Sequence, residues 1–331
     1  MAIRSVSNGA VVLPVEYADT IIKGVLGRSK ALELGRRLRD MKGKEYKLNV
    51  LSNLTVAGWT KNQTTPNNAS EPELKNIPVS RLAWKDVDLE AEEISCIVPV
   101  SINTLEDVED YGVEVVPQIT EDVIGAFQQV IDATIFFGTN SPWRNFSGVV
   151  AGCTSANAVV SWNGQEGMSF YKAVNDAMKK VEKSGYYPTA ILGSPELNGA
   201  FRDTITNLGV LAGDQGQIGA LPRHIDMTGG FDASTAFAIV GDFKYLVYSF
   251  RKELDMRVLY EATINDPATG QPLYNLAQQN MVGFRFTMRL GCALPNPVQR
   301  VSATTGSGNT LVAGAEAYPF AIITKTSGGS N

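Results

Sequence analysis

Between Val282 and Leu294 the chain alternates without a break. Val282, Phe284, Phe286, Met288, Leu290, Cys292 and Leu294 are apolar, and Gly283, Arg285, Thr287, Arg289 and Gly291 fall between them. A period of two sustained this long predicts a β-strand with one face buried along its whole length. At 3.3 Å per residue it spans roughly 43 Å, so a comparably long element must lie across it. Thr120 to Phe137 supplies one. Val123, Phe127, Val130, Ile131, Thr134 and Ile135 form a single helical stripe, Thr120 is placed to cap it, and Glu121 and Asp122 suit the positive end of its dipole. Gly138 ends it, which gives a spine helix of roughly 27 Å.

Other segments attach to this pair. Tyr46, Leu48, Val50, Leu54 and Val56 alternate in one run, and Val87, Leu89 and Ala91 alternate with Asp86, Asp88, Glu90 and Glu92 in another. The two predict a long hairpin, with the Asn/Thr/Pro/Ser-rich stretch Lys61 to Pro78 as its tip. A hairpin of this size is unstable alone and must lie on another surface. Thr104 to Tyr111 reads as a short acidic helix. From Gly148 to Ile264 the pattern is α/β. Ser169 to Lys183 is an amphipathic helix, Thr189 to Leu192 a strand, and Ser194-Pro195-Glu196 the opening of a second helix. Strands Ala236 to Val240, Tyr245 to Phe250 and Met256 to Ile264 complete that region. The tail beyond Val301, with its apolar patch Tyr318 to Ile323, is either an extra strand or a tether.

The net charge of −5 is unevenly placed. Residues 1 to 50 hold ten Lys/Arg against five acids, which leaves 19 bases and 29 acids for the rest. A basic arm, helical from Pro14 to Lys44 and closed by Arg36, Arg37 and Arg39, leads an acidic body. An acidic body argues against tight nucleic-acid binding, which requires clustered Lys and Arg. No run of about 18 apolar residues is present to span a bilayer, and the start resembles no secretion signal, so a soluble protein made inside the cell is expected. Cys96, Cys153 and Cys292 are odd in number and widely spaced, and read as buried thiols. His224, the single histidine, reads as a loop residue beside Arg223 and excludes a paired-histidine metal site. Gly213, Gly216 and Gly219 lack the spacing and the lysine of a phosphate loop. No carboxylate pair stands out as catalytic, and no cofactor or metal is expected. Asp86, Asp88, Glu90, Glu92 and Glu93 admit calcium binding in principle, but they read first as a solvated strand face or as a partner for the basic arm of a neighbouring copy.

Several local sequences in this order resemble the tailed-phage major capsid proteins of the Hong Kong ninety-seven fold, which encapsulins and the herpesvirus capsid floor share. They are Ser52 to Thr60 with Ala57-Gly58-Trp59, Ile97-Val98-Pro99-Val100 before Leu105-Glu106-Asp107, Ile131 to Gly138, Ile239 to Phe243, and Gln279-Asn280-Met281-Val282 leading to Arg289-Leu290. The resemblance implies an α+β fold. Its parts would be an N-terminal arm (1–45), an extended β-hairpin E-loop (46–100), a P-domain with the long spine helix (101–145) and the long returning β strand (281–305), an α/β A-domain (146–280), and a C-terminal tail (306–331). It implies a non-enzymatic shell subunit that self-assembles in the host cytoplasm into hexamers and pentamers of an icosahedral virion, which encloses double-stranded DNA that it does not read by sequence. A separate scaffolding protein, a portal and a decoration protein are the implied partners, and no membrane is involved.

Some members of that family join an E-loop lysine to an asparagine of a neighbour with the help of a glutamate. Asn280 matches the asparagine, and Lys61 or Lys75 stands where the amine is needed. The glutamate position is Thr287, which cannot act as a general base, so a non-covalent shell is expected. An encapsulin-like compartment shell is the alternative with the same fold, disfavoured by the long basic arm and hairpin. A hydrolase would need a carboxylate pair with separated pKa values, and an adhesin or tail component would not contain the central α/β region.

Overall fold

The computed structural model describes residues 29–57, 79–110, 115–164, 168–202, 217–218, 221–306, 310–314 and 316–326. The first described element is a single helical turn, α1 (Lys30–Leu34), capped by Ser29, whose hydroxyl accepts from the Leu32 N–H. It does not run on to Lys44 as the periodicity predicts. The chain leaves the helix at Gly35, and Arg36 and Arg37 become strand β1 (Arg36–Arg37) instead of the end of a helix.

The hairpin follows as β2 (Glu45–Thr55) and β3 (Ala83–Glu90). Its register sets Tyr46 opposite Leu89 and Leu48 opposite Val87, as the alternation requires. After Ala91 the chain changes sheets. Strand β4 (Glu92–Ser101) leaves the hairpin and pairs elsewhere, so the hairpin proper ends about ten residues before position 100. Next come α2 (Ile102–Asp110) and the spine helix α3 (Val115–Phe137). At 1.5 Å per residue the spine is roughly 35 Å long. It begins five residues before Thr120, because Pro117 sits in its first turn, where its missing N–H costs nothing. Thr120 is therefore not a cap. It lies inside the helix, its buried hydroxyl is without a hydrogen-bond partner, and Glu121 and Asp122 sit a turn beyond the helix start. The buried stripe is Val123, Ile124, Phe127, Ile131, Ile135 and Phe136, whereas Val130 is half exposed. Gly138 ends the helix at φ +71°, and its N–H donates to Thr134 O.

The remaining elements are α4 (Val149–Ser155), β5 (Val159–Trp162), α5 (Met168–Lys183), β6 (Ala190–Gly193), α6 (Leu197–Arg202), β7 (Gln217–Ile218), β8 (Leu221–Ile225), β9 (Ala238–Gly241) and β10 (Val247–Leu259). A small pair, β11 (Thr263–Asn265) and β12 (Pro272–Asn275), precedes the long strand β13 (Met281–Ala293), and β14 (Ala303–Gly306), β15 (Thr310–Ala313) and β16 (Phe320–Lys325) close the chain.

Three sheets carry the fold. The first, in order β1-β10-β13-β4, holds the long strand between two antiparallel neighbours. Here β10 departs from expectation. The segments Tyr245 to Phe250 and Met256 to Ile264, read as separate strands of the α/β region, largely merge into one strand, Val247–Leu259, that belongs to the long strand's sheet and is interrupted by register shifts around Lys252, while Thr263 and Ile264 fall in β11. The second sheet, β14-β15-β2-β3, is the hairpin widened by a second hairpin from the C-terminal region. The third is the α/β sheet, β5-β16-β9-β6-β8-β7.

In that third sheet β16 fills a central position, parallel to β5 and antiparallel to β9. The apolar patch of the tail is thus an extra strand. Phe320, Ala321, Ile322 and Ile323 are buried, and the Phe320 ring meets Phe243 edge-on at 5.1 Å. The sheet consequently cannot close until the last described residues are in place. Replacing Phe320 with Ala should cost about 3–5 kcal/mol, as for other buried Phe truncations. Ending the chain before Phe320 should leave the α/β sheet unformed. Chemical denaturation of Phe320→Ala, and far-UV circular dichroism of the truncated chain, check the two expectations.

Candidate assembly interface

Residues 36 to 41 run along β10 as an added edge. Arg36 N donates to Leu246 O, Leu38 N to Tyr248 O and Met41 N to Phe250 O. This backbone pairing points the basic side chains outward. The Arg37 guanidinium reaches Asp40 at 2.9 Å and Glu253 at 3.0 Å, and lies 5.0 Å over the Phe250 ring. The hydrogen bond to Asp40 does most to raise its pKa, burial opposes it, and Glu253 adds to the rise. All three side chains are more than a third exposed, so these pairs fix geometry more than they stabilise. Arg36 is exposed, and Arg39 lies 5.4 Å over the Tyr46 ring at the hairpin root.

The acidic strand meets the basic segment within one chain. Lys44 Nζ is 3.1 Å from Glu92, and Ala91 N donates to Lys44 O. Asp86 is exposed, whereas Asp88, Glu90 and Glu92 are half-buried. The register sets Asp88 opposite Lys47 and Glu90 opposite Glu45. Asp88 Oδ1 is buried without a hydrogen-bond partner. Among the described residues no group of three or more His, Cys, Asp or Glu side chains is placed to hold a metal ion.

Beneath these charges a small apolar cluster of Met41, Leu89, Ala91, Val247 and Ala293 clamps the hairpin root to the long strand. Farther out the hairpin turns apolar side chains to solvent. Val79 is 79% exposed, Leu82 49% and Trp84 62%. Three large apolar side chains exposed within six residues make this stretch a candidate contact surface.

Asn280 occupies the turn into β13 at φ +52°, a left-handed conformation that asparagine tolerates better than most residues. Its side-chain amide donates to Asn103 Oδ1 at 2.9 Å, and its carbonyl accepts from Ile102 N. Thr287 is buried in the sheet between Asp255 and Ser95. The Asp255 carboxyl, tied by Lys252 at 2.5 Å and Arg257 at 3.3 Å, is held below the usual carboxylate range. Lys61 and Lys75, with the hairpin tip, lie outside the described residues, as do Gly58-Trp59, residues 1 to 28, Gly213, Gly216 and Gly219.

His224 is not in a loop. It lies in β8, paired with Leu192, and its Nδ1 is 3.8 Å from Glu33. Burial lowers its pKa against the opposing pull of Glu33. Cys153 and Cys292 are buried, Cys96 is half-buried, and burial raises the pKa of all three thiols. Sequence reasoning missed Asp132, which is fully buried in the spine helix, although an acid inside the apolar run Ile131 to Phe137 is itself a signal.

A family model described as the phage capsid family matches residues 9–207. No curated protein sequence matches this chain. Among solved structures, a chain from Microbacterium phage Oxtober96 is 24% identical, with a TM-score of 0.72 over 90% of this chain and 91% of that one. A chain from Mycobacterium phage Bobi is 22% identical, with a TM-score of 0.74 over 92% and 91%. The capsid of an empty GTA particle is similar at 13% identity, with a TM-score of 0.53 over 98% and 95%.

The left-handed turn at Asn280 gives a direct expectation. Asn280→Gly should leave stability within about 0.5 kcal/mol, because glycine accepts this φ, while Asn280→Val should lose about 1–2 kcal/mol. The midpoints of urea unfolding for the two variants check this.

Proposed function

Because the chain belongs to the phage capsid family, we propose that it is the major capsid protein of a tailed double-stranded DNA phage, which builds the icosahedral head by assembling with copies of itself. The observation that carries this reading is a fold shared with phage chains over about nine-tenths of both lengths. Subunits would gather as hexamers and pentamers. The α/β part (146–280, completed by β16) would sit toward the symmetry axes as the A-domain, the spine helix (101–145) and long strand (281–305), with β4 and β10 of its sheet, would form the P-domain, and the hairpin of β2 and β3 and the arm (1–45) would reach neighbours.

The geometry supports this division of labour. The hairpin root is clamped, while Val79, Leu82 and Trp84 remain open on the protruding part. Many modest contacts, repeated at every neighbour, sum to a stable closed shell. Of the arginines singled out from sequence, Arg37 is already committed to Asp40 and Glu253 within the chain, and Glu92 to Lys44. Arg36 and Asp86, both exposed, are the better candidates for charge pairing between copies. A scaffolding protein, a portal and a decoration protein are proposed partners, and the enclosed DNA is contained without sequence-specific contact. No residue is assigned a catalytic role. An encapsulin-like compartment has the same fold, but the family match and the phage neighbours favour the virion.

Electron microscopy of the protein, expressed alone and with its genomic neighbours, should show shells, tubes or rings of five and six subunits, whose contents distinguish a genome from an enzyme cargo. A stable monomer across salt and concentration would overturn the reading. Denaturing electrophoresis of intact particles should give one band at the monomer mass, because Thr287, at the position of the family's assisting glutamate, has no carboxylate. A ladder would contradict it.

A further inference from the structure

Asp132, five residues before the end of the spine helix and 0% exposed, holds the first described turn of the chain. Its Oδ1 accepts from the Ser29 hydroxyl at 2.6 Å and from Ala31 N at 3.0 Å, and its Oδ2 accepts from Lys30 N at 3.1 Å. The arm is thus fastened about a hundred residues along the chain from where it starts. A third element joins from the loop after β8. Thr228 Oγ1 lies 3.4 Å from Asp132 Oδ2 and donates to Asp226 Oδ1 at 2.6 Å. Asp226 is 2% exposed, and its Oδ2 is buried without a partner.

Two buried carboxyl groups therefore flank one hydroxyl, whose single proton serves only one of them. Asp226 Oδ1 also accepts from Thr228 N at 2.7 Å, but its Oδ2 has no donor, so the two carboxyl groups share too few protons. A proton on Asp132 Oδ2 would let it donate to Thr228 Oγ1, which goes on accepting from Gly230 N and donating to Asp226, while Asp132 Oδ1 keeps its bonds from Ser29 and Ala31 and Oδ2 keeps a lone pair toward Lys30 N. Nearby charges do not supply the deficit. Lys30 Nζ is paired with Glu33 at 2.5 Å, Glu33 faces His224, and Glu121 and Asp122 line the adjoining groove on the spine helix.

We infer that Asp132, Thr228 and Asp226 form a proton-operated clasp that fastens the N-terminal arm to the spine helix and the α/β sheet, and that it grips more tightly when it holds a proton. The inference rests on the packing of these three elements and is independent of the shell reading. Burial pushes the Asp132 carboxyl from 3.8 up to about 6; its three donors oppose this and the Asp226 charge adds to it. The sign follows from linkage. The closed clasp binds the proton more tightly than a solvated carboxyl does, so closure is favoured as pH falls through 6 toward 4 and is independent of pH above that window.

Hydrogen exchange of the full chain, corrected for the intrinsic effect of pH, reads the clasp at residues 29 to 34. Protection there should fall about tenfold per pH unit between about 4 and 6 and then level off, while residues 123 to 137 stay constant. Asp132→Asn should flatten the profile. Asp226→Asn, which removes the neighbouring charge, should move the window to lower pH and serves if the first variant does not fold. His224→Gln should leave the window in place. Protection independent of pH in the natural protein, an unmoved window in Asp226→Asn, or loss of the window in His224→Gln would each overturn the clasp.

Discussion

Strand β13 is covered on both faces, and the rest of the molecule takes its register from that fact. One face sends Val282, Phe284, Phe286, Met288, Leu290 and Cys292 into the core shared with the spine helix. Full burial of such side chains is worth about 1.5–3 kcal/mol each, a large apolar commitment for one strand. The other face survives burial by being small where neighbours press closest. A Cβ at Gly291 would lie 3.0 Å from Glu90 O, and one at Gly283 would lie 3.1 Å from Leu276 Cδ1. Slipping the strand by one residue would drive Arg285 and Arg289 into the spine and bring the large apolar residues against these tight positions. The pairings with β4 and β10, and through β4 the point where the hairpin leaves at Ala91, are fixed together.

Elements with a long, unmixed period were the legible ones. The alternation from Val282 to Leu294, the hairpin register of Tyr46 with Leu89, and the helix ending at Lys183 all follow from pattern alone, because side-chain direction repeats every 2 or 3.6 residues. What escaped the sequence has local causes. Strand β10 reads as two pieces because the shifts around Lys252 break its alternation, and β-bulges carry no pattern of their own. Strand β16 offers a short apolar patch, which serves a strand or a tether equally well until the vacancy between β5 and β9 is known. His224 sits in a strand beside Pro222 and Arg223, a composition that reads as loop.

The interface is less legible than the core, for a related reason. Core positions are dictated by one chain's periodicity, whereas the charged residues have partners that folding selects from distant segments. Arg37 finds Glu253, more than two hundred residues away, and Lys44 finds Glu92, and neither pairing leaves a spacing signature. The basic arm and the acidic stretch touch inside the chain at Lys44 and Glu92, beside the hairpin root.

A shell subunit that occupies non-equivalent surroundings needs a body that holds its shape and margins that adjust. This chain separates the two by the density of what it buries. The spine, the long strand and the α/β sheet share one continuous apolar core, which resists deformation because close-packed interiors have few alternative arrangements. The hairpin is joined to the rest by the small buried cluster at its root and, farther along, by the pairing of β15 with Asn53 to Thr55, and near its far end it exposes Trp84, Leu82 and Val79. The hairpin buries less than the body does, and its exposed apolar patch gains most by meeting another surface. Assembly then requires no strong individual contact, since the same weak one recurs at each neighbour and the closed shell sums them.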